Sequence, residues 1–103
     1  MSTANKKKRR STMSVRVEFL GPLKQVVGGE DIIELEADTI AGVIEKLNEQ
    51  YQGVTDRLLE PEGTLHRHIN IYLNEEDIRF KEQLQTALSP GDVLTVISAI
   101  AGG

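Results

Sequence analysis

The stretch Val93-Leu94-Thr95-Val96-Ile97 is the strongest constraint on what this chain can fold into. It is β-branched and apolar, with no charged residue at alternate positions, so it reads as a strand buried on both faces. A strand of that kind needs a neighbour on each edge and a covering layer, and the rest of the chain must supply them. Ser89-Pro90-Gly91-Asp92 leads into it with turn chemistry: Pro pre-sets one dihedral and Gly accepts positive φ. The final residues are Ser98-Ala99-Ile100-Ala101-Gly102-Gly103.

The neighbours are legible upstream. Ser14 to Leu20 alternates, with Val15, Val17 and Phe19 on one side and Arg16 and Glu18 on the other, the pattern of a half-buried strand. Gly21-Pro22 ends it, and a long connection through Gly28-Gly29 leads to a second strand at Ile32-Ile33-Glu34-Leu35, predicted to pair with the first as an antiparallel hairpin. Asp38-Thr39 offers a helix N-cap. Ile40, Val43, Ile44, Leu47 and Tyr51 follow at helical spacing, with Gly53 as a stop. Leu58-Leu59 suits a short helical turn closed by Pro61 and Gly63. Ile69 to Leu73 alternates again, Asn74-Glu75-Glu76-Asp77 is a polar turn, and Ile78 and Phe80 mark a short returning segment. Leu84, Ala87 and Leu88 fit a brief turn before the last strand. The order strand, strand, helix, strand, short strand, strand predicts an α+β fold. In it a mixed sheet of four to five strands carries one main helix on one face, and the first and last strands run parallel at the centre. This is the ubiquitin-like β-grasp arrangement.

Length and composition bound the function. A chain of 103 residues forms one domain. It has no cysteine, which removes disulfides, thiol catalysis and cysteine-based metal sites, and its two histidines leave little for a metal-dependent enzyme. No apolar run approaches the roughly 18 residues of a membrane span, and no apolar segment follows the basic N-terminus as a secretory signal would require. A cytoplasmic protein is expected, with no membrane partner. Lys6 to Arg10 concentrate five basic residues in segment 1–12, expected to be a disordered tail. Residues 13–98 form the expected domain and 99–103 a flexible tail. Beyond the basic segment stand seven basic and sixteen acidic side chains, a net of −9. That charge argues against nucleic acid and for a partner with a basic docking surface.

Two terminal glycines stabilise no fold, because ordering them costs the most backbone entropy. They do let an extended tail thread between walls that a Cβ would obstruct. Ala101, Gly102 and Gly103 are therefore expected to enter a narrow partner site, with the Gly103 carboxylate as the reactive group. That carboxylate is ionised at neutral pH, with a reference pKa of about 3.5, and is a poor electrophile until given a leaving group. Five extended residues from Ala99 to Gly103 reach on the order of 17 Å.

Gly91-Asp92, Leu94-Thr95-Val96 and Ala101-Gly102-Gly103, at this spacing, resemble the ubiquitin-like sulfur carriers related to the molybdopterin synthase small subunit and the thiamine sulfur carrier. The resemblance covers about residues 14–103. Leu65 to Phe80 is similar to the carrier of O-phosphoserine-dependent cysteine biosynthesis, and Ser98 stands where the family often has Pro. The resemblance implies a two-step activation. An E1-type enzyme adenylates the Gly103 carboxylate with ATP and magnesium, and a sulfurtransferase or other sulfur donor displaces AMP to leave a thiocarboxylate. A synthase then accepts the sulfur for cysteine, molybdopterin or thiamine. The chain would be a co-substrate with no catalytic residue and no bound cofactor or metal of its own.

Other candidates are weaker. His66 and His68 would share a strand face, but no third ligand is evident, so a structural or solvated role is expected. Glu75-Glu76-Asp77 reads as a hairpin turn rather than a cation site. Arg57 and Arg67 are surface charges or docking contacts. With Leu94 and Val96 in the core, Val93, Thr95 and Ile97 occupy the opposite face, where Val93 and Ile97 are expected to form an apolar docking patch. Two further classes share these features: a protein modifier joined through Gly103 to lysines, and a plain β-grasp binding module.

Overall fold

The structure is a computed structural model and describes residues 14–98. The basic segment 1–12 and the tail 99–103 lie outside them. Five strands form one mixed sheet: β1 (Ser14–Phe19), β2 (Ile32–Glu36), β3 (Ile69–Leu73), β4 (Glu76–Asp77) and β5 (Val93–Ser98), in the order β2-β1-β5-β3-β4. As predicted, β1 and β5 are parallel neighbours, with Val17 opposite Leu94 and Phe19 opposite Val96. β3 flanks β5 antiparallel on its other edge, Ile71 opposite Val96 and Leu73 opposite Leu94. The hairpin of β1 and β2 pairs Val17 with Ile33 and Val15 with Leu35.

Helix α1 (Ile40–Gln50) covers one face. Thr39 caps it, its Oγ1 accepting from the Gly42 N–H at 3.1 Å, and its buried stripe is Ile40, Val43, Ile44 and Leu47. Against that stripe lie Val15, Val17, Phe19, Ile71, Leu94 and Val96, all buried. Burying one such side chain stabilises by about 1.5–3 kcal/mol, so this layer accounts for most of the cohesion.

Local readings change in four places. The connection after β1 is a 3-10 helix over Gly21–Val27 that buries Leu23, Val26 and Val27; its three-residue repeat is too short to register as amphipathic helix. α1 ends at Gln50, and Gly53, with φ of 92°, instead starts helix α2 (Val54–Leu58). The returning strand is Glu76–Asp77, two residues before the apolar pair that suggested it. Ile78 is fully buried in a 3-10 turn and Phe80 is 82% exposed. Finally, β5 is buried on one face only. Leu94 and Val96 are inside, whereas Val93, Thr95 and Ile97 are half-buried, because no second layer covers the far face among the described residues.

A polar clamp sets where β5 begins. Gly91 has φ of 89° and its N–H donates to the Ser14 carbonyl at 2.9 Å, and the Asp92 carboxylate accepts from the Ser89 N–H at 2.8 Å and from Asn74 Nδ2 at 3.0 Å. Asn74 in turn accepts from the Val93 N–H through Oδ1 at 3.0 Å and donates its own N–H to the Val93 carbonyl at 2.9 Å. Asn74 and Glu75 both have positive φ, 51° and 78°, as a tight two-residue hairpin turn requires. Asn74→Ala is expected to lower stability by about 1–2 kcal/mol, and Asn74→Gly by less, since glycine keeps the positive φ while losing the side-chain bonds. Urea denaturation of both variants checks this; equal losses would show that the backbone geometry contributes nothing.

Candidate functional site

The far face of the sheet can be built residue by residue from the register. Val93 lies between Arg16 of β1 and the Asn74 turn, and Thr95 lies between Glu18 of β1 and Tyr72 of β3. Ile97 faces Asn70 of β3. On its other side the Leu20 N–H donates to the Val96 carbonyl at 3.0 Å, which continues the parallel ladder and sets Leu20 opposite Ile97. Ile32 of β2 stands opposite Glu18 and so shares this face. Leu20 and Ile32 are two of the three large hydrophobic residues left exposed among the described residues. The expected pair Val93 and Ile97 therefore sits in a wider apolar strip with Leu20, Ile32 and Tyr72, crossed by Arg16, Glu18 and Glu34. The alternation of Ser14 to Leu20 already puts Leu20 on the side of Arg16 and Glu18, but its place beside Ile97 follows only from the ladder bond to Val96.

Ser98, opposite Ile69, is the last described residue, so the tail containing Ala101, Gly102 and Gly103 leaves from the end of β5 beside this strip. Those three residues lie outside the described region. On the core side of the same end is a cavity of about 240 Å³, with Pro22, Leu23 and Ile69 as apolar wall and Arg57, His66 and His68 at its rim.

The histidines are not on a strand face. Both precede β3, in the turn that follows the isolated bridge between Leu59 and Leu65. His66 Nδ1 lies 2.9 Å from Glu60 Oε2, and the backbone N–H of His66 donates to the Leu58 carbonyl at 2.9 Å. Among the described residues no group of three His, Asp or Glu side chains is placed to hold a metal ion. Glu76 and Asp77 belong to the β3–β4 hairpin, with Glu76 bonded to Lys81 at 3.3 Å.

Arg79 holds this end of the sheet together and was not singled out from the sequence. Its guanidinium donates to Asn70 Oδ1 at 2.7 Å, to the Ile69 carbonyl at 2.9 Å and to the His66 carbonyl at 3.3 Å. β4 is too short to reach the first residues of β3, and the planar fork of arginine satisfies the edge that a longer strand would have paired.

A helix lies across one face of a mixed sheet, the first and last strands are parallel neighbours, and the open face runs into the chain's end. These features define a ubiquitin-like β-grasp protein. Residues 17–103 match the ThiS family, and the chain belongs to it. It is 41% identical over 93 residues to the sulfur carrier protein CysO of Mycobacterium tuberculosis, covering 88% of this chain and all of that protein. Identity to small archaeal modifier protein 3 of Haloferax volcanii is 30% over 93 residues, again 88% of this chain and all of the relative. Among solved structures, that of the Amycolatopsis orientalis BexX/CysO complex superposes with a TM-score of 0.79 at 37% identity, covering 86% of this chain and 99% of the matched chain.

Arg79→Ala is expected to destabilise the fold by about 1–2 kcal/mol, a value reduced by the partial exposure of the side chain. Arg79→Lys should recover less than half of that, because an ammonium cannot meet the acceptors with a planar fork. Thermal and urea unfolding of the two variants check it; full recovery by lysine would mean that charge alone matters.

Proposed function

We propose that this chain is a sulfur carrier whose Gly103 carboxylate is adenylated by an E1-type enzyme and then converted to a thiocarboxylate. The observation that carries the reading is the 41% identity to CysO over the whole of that sulfur carrier. The ThiS family match extends through Gly103 itself. In the first step a carboxylate oxygen attacks the α-phosphate of ATP, releasing pyrophosphate and forming an acyl-adenylate. In the second, a sulfur nucleophile from a donor attacks the acyl carbon and AMP departs with the electron pair of the broken C–O bond. ATP and magnesium belong to the activating enzyme, and the chain contributes the acyl group as a co-substrate. The cytoplasm, which supplies ATP, is the proposed compartment. A cysteine synthase is the proposed acceptor, in keeping with the similarity of Leu65–Phe80 to the carrier of the O-phosphoserine pathway; molybdopterin and thiamine synthases are the alternatives.

The proposed docking surface is the strip around Val93 and Ile97. A half-buried apolar strip beside the tail lets one partner hold the domain while the glycines enter its active site, and partner binding has a precedent in the complex of CysO with BexX from Amycolatopsis orientalis. A second reading, conjugation of Gly103 to lysines, is favoured by the 30% identity to small archaeal modifier protein 3. It uses the same adenylate with a lysine amine in place of the sulfur nucleophile.

Incubation with the activating enzymes of the host, ATP and a sulfur donor is expected to raise the intact mass by one oxygen-to-sulfur replacement. Deletion of Gly103 should abolish the change. Adenylation without sulfur uptake, together with Gly-Gly remnants on lysines of other proteins, would favour the modifier. Val93→Arg should lower the rate of adenylation at least tenfold while the domain stays folded, because this position lies on the uncovered face; an unchanged rate would remove the strip as a docking surface.

A further inference from the structure

We propose that the cavity beside the root of the tail seats a carboxylate side chain of the activating enzyme, held by Arg57 with His68 at its flank. This inference rests on the adenylation reading above and adds a second, polar anchor to the apolar strip on the sheet.

The charge pattern points to it. Although residues 14–98 hold sixteen acidic side chains and seven basic ones, the Arg57 guanidinium makes no hydrogen bond or ion pair among the described residues. Three of the other six cations lie beside acids, Lys24 2.8 Å from Asp31, Lys81 3.3 Å from Glu76 and Arg79 3.9 Å from Asp77; of the remaining cations, Arg57 is the one that lines the cavity at the end of β5. Asp56 precedes Arg57 on the same helix without an ion pair to it, and Glu60, three residues beyond, lies 2.9 Å from His66 Nδ1. His68 is likewise without a partner among the described residues. An unpaired guanidinium thus stands at the rim of a cavity of about 240 Å³ whose wall is Pro22, Leu23 and Ile69. An apolar wall strengthens a charge pair formed against it, and a guanidinium takes a planar carboxylate through two parallel N–H···O bonds.

Position identifies the occupant. Ser98, where the tail leaves the sheet, lines the same cavity. Five extended residues separate it from the reacting carboxylate, on the order of 17 Å, so the nucleotide phosphates at Gly103 are out of reach. What lies beside the tail root when the tail is threaded is the protein surface at the mouth of the enzyme's channel. On a body this acidic, a cation beside the root of the tail that meets an acid fixes the orientation of docking, and the wrong orientation sets like charges together.

The test is pyrophosphate exchange with the host enzyme that adenylates the wild-type chain. Arg57→Glu is expected to raise the KM for the carrier about tenfold with little change in kcat, and the defect should shrink as salt screens the repulsion. Lys46→Glu, the same charge change on α1 among Glu36, Glu45 and Glu49, is expected to leave KM within twofold. Both variants should keep the wild-type melting temperature within a few degrees. An Arg57→Glu KM equal to the wild type, or equal increases for both variants, would overturn the cavity as a docking site. Absence of exchange with the wild-type chain across the host's activating enzymes would instead overturn the adenylation reading on which the inference rests.

Discussion

Everything in this domain depends on the parallel pairing of β1 with β5. Parallel neighbours need a long crossover, and the chain between them supplies the remaining strands and the helix that covers the sheet. The pairing sets Val17 beside Leu94 and Phe19 beside Val96 at the floor of the core, under the stripe of α1. A slip of one residue in β5 would turn Leu94 and Val96 to the open face and drive Thr95 inward. The clamp of Asn74, Asp92 and Gly91 opposes that slip, since it ties the start of β5 to both the β3–β4 turn and the first residue of β1.

The same arrangement gives the end of β5 a rigid base, as the proposed carrier role requires. β5 is held on both edges by hydrogen bonds and on one face by the core, so the chain leaves the sheet from a rigid base. Ser98 is still paired with Ile69 there. A tail hung from a rigid base loses less freedom on entering a partner than one hung from a loop. The open face next to that exit carries Val93, Ile97, Leu20 and Tyr72 and has no covering layer among the described residues. The side of α1 away from the core is acidic instead, with Glu45 and Glu49 beside Glu36. The acidic and the apolar parts of the surface therefore lie on different faces, so in the proposed docking long-range attraction and final seating would fall to different faces.

Neighbouring charges divide into those that complete the fold and those that are left over. Arg79 is structural, because its guanidinium joins the turn at His66 to the first residues of β3 through the Ile69 carbonyl and Asn70 Oδ1, beyond the reach of the short β4. Glu60 and His66 satisfy each other in the turn before β3. Arg57, exposed near the same turn, has no such duty among the described residues. The distinction between Arg57 and Arg79 is one of surroundings, not residue type, and nothing in their local sequence separates them.

The sequence by itself determined the order of elements, the α1 stripe from Ile40 to Leu47, the alternation of β1 and β3, and the central place of β5, because period and β-branched runs are properties of neighbours along the chain. It also marked the Gly91-Asp92 turn, since Gly and Asp carry turn chemistry in themselves. What only the tertiary structure decided rests on residues distant in sequence. These are the one-sided burial of β5, the gathering of Leu20 and Ile32 with Val93 and Ile97 on its open face, and the bond from Asn74 to Asp92. The gathering of Arg57, His66 and Pro22 around one cavity belongs with them. The 3-10 helix at Gly21–Val27 and the two-residue β4 fall there too, because segments so short carry too little periodicity to declare themselves and are held by the core they touch.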